Sequence, residues 1–274
     1  MSVVRIAGAQ GFYGDSPMAA IAIAAQQGAD YLVHDALAEL TLSILQKDRL
    51  ADPNMGYARD IETLAKFLIP MAHRHGIRIV TNSGGLNPES AARKVAAILQ
   101  QQGITNFNIA TITGALRRLL LVKVHDLLPR LPQLLQNGHE LRHLDTGRPF
   151  LENKFATTHA NVYIGAKSVA EALNSGANLI LAGRVADPCL TLGILAHHFG
   201  WKLDGNLTQT DLNLLANGIA DEGICWSAAD RHRAATLMPS GRWITPSATL
   251  ATPLPTLVPM AAPFLPNCLR KGVK

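Results

Sequence analysis

Hydrophobic positions along this chain fall into two alternating periods. Short continuous runs of β-branched and aliphatic residues are followed by Gly-, Asn- and Asp-rich turns, then by segments with apolar residues three and four apart. Continuous apolar runs predict strands buried on both faces, and the longer periodic segments predict amphipathic helices. The strands so predicted are "VVRIAGA" (3–9), "DYLVHD" (30–35), "IRIVTN" (77–82), "NFNIATITG" (106–114) and "NLILAGRV" (178–185). The helices are "MAAIAIAAQQG", "ALAELTLSILQKDRL", residues 57–75 with Gly76 as stop signal, "ESAARKVAAILQQQG", and a helix from Pro188 to His198.

Strands alternating with helices predict an α/β fold, a mostly parallel sheet with helices on both faces. The rhythm breaks between Gly114 and Asn178, where "ELRHLDTGRPF" reads as a hairpin. That break suits an open, Rossmann-like doubly wound sheet better than a closed barrel, and a partial β/α barrel is the alternative. After Ala220 the pattern stops, and residues 221–274 read as an irregular tail. Two parts are therefore expected, an α/β domain over 1–220 and a Pro-rich basic tail over 221–274.

Composition adds a few exclusions. With 48% hydrophobic and 16% charged residues the chain is of globular type. The apolar runs "MAAIAIAA" and "LLLVKV" fall far short of the roughly 20 residues of a membrane span. No secretory leader is read at the start, so a cytoplasmic protein with no membrane partner is expected. Cys189, Cys225 and Cys268 are scattered and odd in number, which forms neither a disulfide framework nor a zinc pattern. The net charge of +5 is misleading as a whole-chain figure. Of 25 Lys+Arg, six lie after residue 230 with no acid among them, leaving 19 against 20 acids before it. A nucleic-acid footprint belongs on a folded face, so nucleic acid is not expected as a partner.

In either α/β architecture ligands bind at the carboxyl ends of the strands, and the polar turn residues gather there. After the first strand, Gly11, Gly14 and Asp15 form a turn into a helix, a place to hold an anionic group or simply a tight capped turn. After the second, Asp35 and Glu39 are four apart, so one helical turn would stack two carboxylates unless a metal, an amine or an Arg lay between them. After the third, Asn82, Gly84, Gly85 and Asn87 crowd one loop. Asn87 followed by Pro88 reads as a helix N-cap, which leaves Asn82 unexplained. The last strand ends in Arg184 and Asp187, and "THANVYIGA" contributes Asn161 and Tyr163. Arg184 suits a carboxylate or phosphate, although a surface pair with Asp187 is the plainer reading. Nucleophile elbows, H-E-x-x-H and C-x-x-C are absent.

Taken in order, "GFYGD", "DYLVHDALAEL", "TNSGGLNP", "LDTGRPF", "ANVYIGAKSVAEAL", "GANLILAGRVADP" and "HHFGW" resemble the acyclic terpene utilisation (AtuA) family from Arg5 to Ala220. The resemblance implies a part in the catabolism of acyclic isoprenoids such as citronellol or geraniol, acting on a branched acid or its CoA thioester. It also implies neighbouring machinery that carboxylates branched acyl-CoA thioesters, for which a non-catalytic accessory subunit is the second reading. It assigns no chemical step, no cofactor and no metal.

Two departures stand out. The family commonly follows its fourth strand with T-G-D-D, whereas Thr113-Gly114 here runs into "ALRRLLLVKVHDLLPR". After "ANGIA" the family continues G-H-L-L-E-C-G-x-Q-x-x-G-G-N, where this chain has "DEGICWSAADRHRAAT". Joining the last base of each codon to the first two of the next, from Gly223 to Thr236, permits H-L-L-E-C-G-G-Q-A-S-G-G-N. A single-base slip near Ala220–Gly223 is the expectation, with an inactive product of a disrupted gene as a third reading. A disordered Pro-rich tail is the rival. The site residues expected are therefore Asp35, Glu39 and Asp187 for acid–base work. Gly11, Gly14, Asp15, Asn82, Gly84, Gly85, Asn87, Asn161, Tyr163 and Arg184 are expected to hold a small-molecule ligand, and a homo-oligomer is compatible with the sequence.

Overall fold

A computed structural model describes residues 4–113, 131–136, 146–149, 161, 164–203, 234–237 and 243–244. Strands β1 (Val4–Gln10), β2 (Tyr31–His34), β3 (Arg78–Thr81), β4 (Ile109–Ile112) and β5 (Leu179–Ala182) form a parallel sheet. Every residue of β2 and β5 is buried, as the continuous apolar runs demand. Two short pieces of the tail, β6 (Ala234–Leu237) and β7 (Trp243–Ile244), continue the sheet antiparallel from the β1 edge. The rest of residues 221–274 lies outside the described residues, as does most of the expected 140–150 hairpin.

The helices are α1 (Met18–Ala25), α2 (Glu39–Ala51), α3 (Asp60–Thr63), α4 (Ile69–Arg74), α5 (Pro88–Gln101), α6 (Leu131–Gln136), α7 (Lys167–Asn174) and α8 (Asp187–Phe199). Alternation along the strands sends side chains to two cores. Ala7, Leu32, Ile79 and Leu179 pack under α1, α3, α4 and α5, while Ile6, Val33, Val80 and Ile180 pack under α7 and α8. The sheet is open and covered on both faces.

Strand order is β4-β5-β3-β2-β1-β6-β7. From β1 through β3 to β4 the chain advances in one direction, and right-handed crossovers then place the helices on one face. At β5 it turns back to insert between β3 and β4, which carries α7 and α8 to the other face.

The expected single helix over 57–75 is one continuous run, α3 and α4 joined by a π-helical stretch (Leu64–Leu68). Pro70 accounts for the local freedom. It has no N–H to give the Lys66 carbonyl, and that carbonyl accepts the Gln102 side-chain amide at 3.1 Å instead. No described helix is long and apolar enough to cross a membrane.

Candidate functional site

The connection leaving β3 enters α5 on one face, and the connection leaving the adjacent β5 enters α8 on the other. Where neighbouring connections part in this way a crevice opens at the carboxyl ends of the strands. Asn82 follows β3 there, Arg184 and Asp187 follow β5, and Asp35 follows β2.

Asn82 is fully buried and held at both ends of its amide. Its Nδ2 donates to Asp35 Oδ1 at 2.5 Å, and its Oδ1 accepts the Ala36 N–H at 2.7 Å. This accounts for the polar residue that a helix-entry turn left unexplained: it positions the Asp35 carboxylate. Asp35 is itself only 9% exposed. Burial first, and the Asp187 carboxylate after it, raise its carboxyl to about 6 against the opposing pull of the bonds from Asn82 and the Leu37 backbone and of the charge of Arg184.

Arg184 is 3% exposed and forms an ion pair with Glu39, whose side chain is 77% exposed. Arg184 is therefore a buried guanidinium rather than a surface one, and its partner Glu39 is exposed. Nor do Asp35 and Glu39 stack on one helical turn. Glu39 is the first residue of α2, whereas Asp35 lies in the extended stretch before it. The cation between the two carboxylates is Arg184, which bonds to one and acts on the other through space. Asp187 is the first residue of α8, where a helix N-terminus favours negative charge.

Other expected residues are absorbed by local structure. Asn87 caps α5 by accepting the Ser90 N–H at 3.4 Å, and its Nδ2 donates to the Pro53 and Met55 carbonyls at 3.0 Å each. A Cβ on Gly84 would lie 2.6 Å from the Ala182 carbonyl oxygen, so that glycine lets β3 and β5 leave the sheet side by side. Gly85 has φ +54, and a Cβ there would meet Leu45 at 2.5 Å. In the turn after β1, Gly11 N–H and Ser16 N–H both donate to the Asp15 carboxylate (3.4 and 2.7 Å) and Gly14 N–H donates to Asp60 (2.7 Å). These amides are committed to carboxylates. Ile164 lies beside the β5 exit, its N–H donating to the Arg184 carbonyl and its carbonyl accepting the Ala186 N–H, each at 3.1 Å. Asn161 is half-buried just upstream, and Tyr163 lies outside the described residues.

Buried Asp35, the Asn82 that orients it and the Arg184–Glu39 pair therefore come together from β2, β3 and β5, on the stretches that carried the resemblance. A model of the acyclic terpene utilisation family protein AtuA matches residues 4–220. The chain belongs to the AtuA family. No curated protein and no solved structure matches it. Among the described residues of this AtuA-family chain, no group of three or more His, Cys, Asp or Glu is placed to hold a metal ion. Sequence reasoning missed His34, Gln10 and Asp60. The visible signal was His34 itself, a titratable side chain inside an otherwise apolar, fully buried strand.

Proposed function

We propose that the β2–β3–β5 crevice binds an anionic branched isoprenoid, a free acid or its CoA thioester, and moves a proton on it through Asp35. The family supplies acyclic terpene utilisation. The observation that carries the finer reading is a buried carboxyl raised to about 6 beside a buried guanidinium. A carboxylate whose affinity for a proton is raised toward neutral pH is suited to accept and return one. Asn82 fixes its direction. Arg184 supplies the cation, and its present partner Glu39 reaches it from solvent, so an incoming anion takes Glu39's place. Asp187 is the second carboxylate of the crevice and keeps Asp35 from ionising too readily. Leu40 and Ile44 stand exposed on α2 next to Glu39, which offers an apolar strip to a branched chain.

The test compares Asp35→Asn and Arg184→Met, both in this chain and at the same positions of a full-length in-frame family member. Arg184→Met should weaken binding of a short isoprenoid acyl-CoA by about 10- to 100-fold, the effect of losing a hydrogen bond to a charged group. Asp35→Asn should leave binding and abolish turnover. Full growth of the host on citronellol with both residues replaced would favour the non-catalytic accessory role.

A further inference from the structure

At the ends of β1 and β2 lies a pocket of ≈ 220 Å³ whose lining includes none of Asp35, Asn82, Arg184 and Glu39. Gln10 of β1, His34 of β2, Asp15 and Ser16 before α1, and Asp60 and Thr63 of α3 line it. His34 is 1% exposed and Gln10 is 6% exposed. Both His34 ring nitrogens and Gln10 Oε1 have no hydrogen-bond partner among the described residues. Buried polar atoms are nearly always paired, and orphans in a pocket wall are the groups that a bound molecule satisfies.

Two irregularities of the backbone converge on the same wall. Strict alternation would send Gln10 to the Val4 and Ile6 face, but β1 shifts register between Gly8 and Gln10, and this sets Gln10 opposite His34 and into the pocket beside Ala9. The π-helical stretch begins at Leu64, which also lines the pocket. Bulges and π turns concentrate at functional sites. Gln10 Nε2 donates to Asp60 Oδ2 at 2.9 Å and to the Phe12 carbonyl at 3.0 Å, so the amide is held with Oε1 as its open acceptor.

The charges of the wall then choose the ligand. Asp15 and Asp60 are its acidic side chains, no Lys or Arg among the described residues lines it, and the nearby Gly11, Gly14 and Ser16 amides already serve those carboxylates. An anion meets like charge and no open backbone donor there, whereas an ammonium meets acceptors. Burial lowers His34 to about 3, so its ring is neutral and offers one N–H and one lone pair. We propose that this pocket binds a small hydroxylated primary amine. Its ammonium donates to Gln10 Oε1 and the Asp60 carboxylate, and its hydroxyl accepts the His34 N–H.

Isothermal titration of the full chain with ethanolamine, glycerol and acetate tests this, with circular dichroism melts to check folding. Ethanolamine should bind, acetate should not, and His34→Phe and Asp60→Asn should each weaken ethanolamine by about tenfold or more. Asp60→Asn keeps an oxygen for Gln10 and Gly14 while removing the charge, so it decides the matter if His34→Phe fails to fold. Binding of glycerol or acetate alone, no heat with any probe, an unaffected Asp60→Asn, or ordered water only in a crystal grown with ethanolamine would each overturn the assignment. The readout is ethanolamine binding, so its failure leaves the reading of the Asp35 crevice standing, and failure there leaves this pocket standing.

Discussion

His34 and Asp35 are neighbours, and burial moves them in opposite directions. Removing water disfavours whichever form is charged, so the Asp35 carboxyl rises to about 6 while the His34 imidazole falls to about 3. Their linkage to stability has opposite sign. Between 3.8 and about 6 the folded chain holds a proton on Asp35 that the unfolded chain has lost, so this residue makes stability fall as pH rises through that window. Between about 3 and 6.5 the unfolded chain protonates His34 and the folded chain does not, so this residue makes stability fall as pH drops. Asp35→Asn, which retains an oxygen for Asn82, is therefore expected to stabilise the fold at pH 7 and above. The gain is at most roughly 3 kcal/mol and vanishes near pH 4, as urea melts at several pH values would show. Turnover that depends on Asp35 as a base should rise as pH passes through about 6. His34→Phe should shift acid unfolding to lower pH; an unchanged acid midpoint would mean that the ring is already charged or solvated.

Glycines at crossings decide how the elements approach. A Cβ on Gly193 of α8 would lie 2.4 Å from Val169 Cβ and 3.0 Å from the Ala166 carbonyl, so α7 and α8 are in backbone-close contact there. Alanine should gain up to about 1 kcal/mol of helix propensity. Overpacking costs typically about 1–3 kcal/mol, and Val169 sits on a fully buried helix face that has little room to give. Gly193→Ala is thus expected to destabilise, by roughly 1–2 kcal/mol in a denaturant melt, despite its better propensity. Gly84→Ala should cost at least as much, because the atom it meets at 2.6 Å is the backbone oxygen of Ala182. It should also lower ligand affinity, since the same crossing sets the spacing of Asn82 and Arg184.

Across the whole molecule, the proposed site follows from one topological event, the return of β5 between β3 and β4. The return sends α8 to the face opposite α5 and opens the crevice that Asp35, Asn82 and Arg184 share. The family match reaches residue 220, and the shifted-frame reading proposed for Gly223 to Thr236 begins just beyond it. Sequencing the coding DNA should find H-L-L-E-C-G and G-G-N in the adjacent frame; codons with no family-like alternative frame would sink that proposal.

Much of this was legible in the chain. Strands, helices, the Asn87 cap and the two-faced α/β sheet depend on period, composition and turn chemistry within a few residues, and those are local properties that sequence carries directly. Gathering of polar residues at strand ends was legible for the same reason. What each one touches was not. Arg184 pairs with Glu39 across 145 positions and Asn82 orients Asp35 across 47, and such partners depend on strand order. The His34 pocket was hidden further, because a one-residue register shift in β1 turns Gln10 against its own alternation. Local pattern determined which residues form strands, helices and loops. Only the tertiary structure decided which carboxylate is dry and raised, which guanidinium it meets and which buried nitrogens are left to a ligand, because burial and long-range pairing belong to the assembled sheet and not to any segment of it.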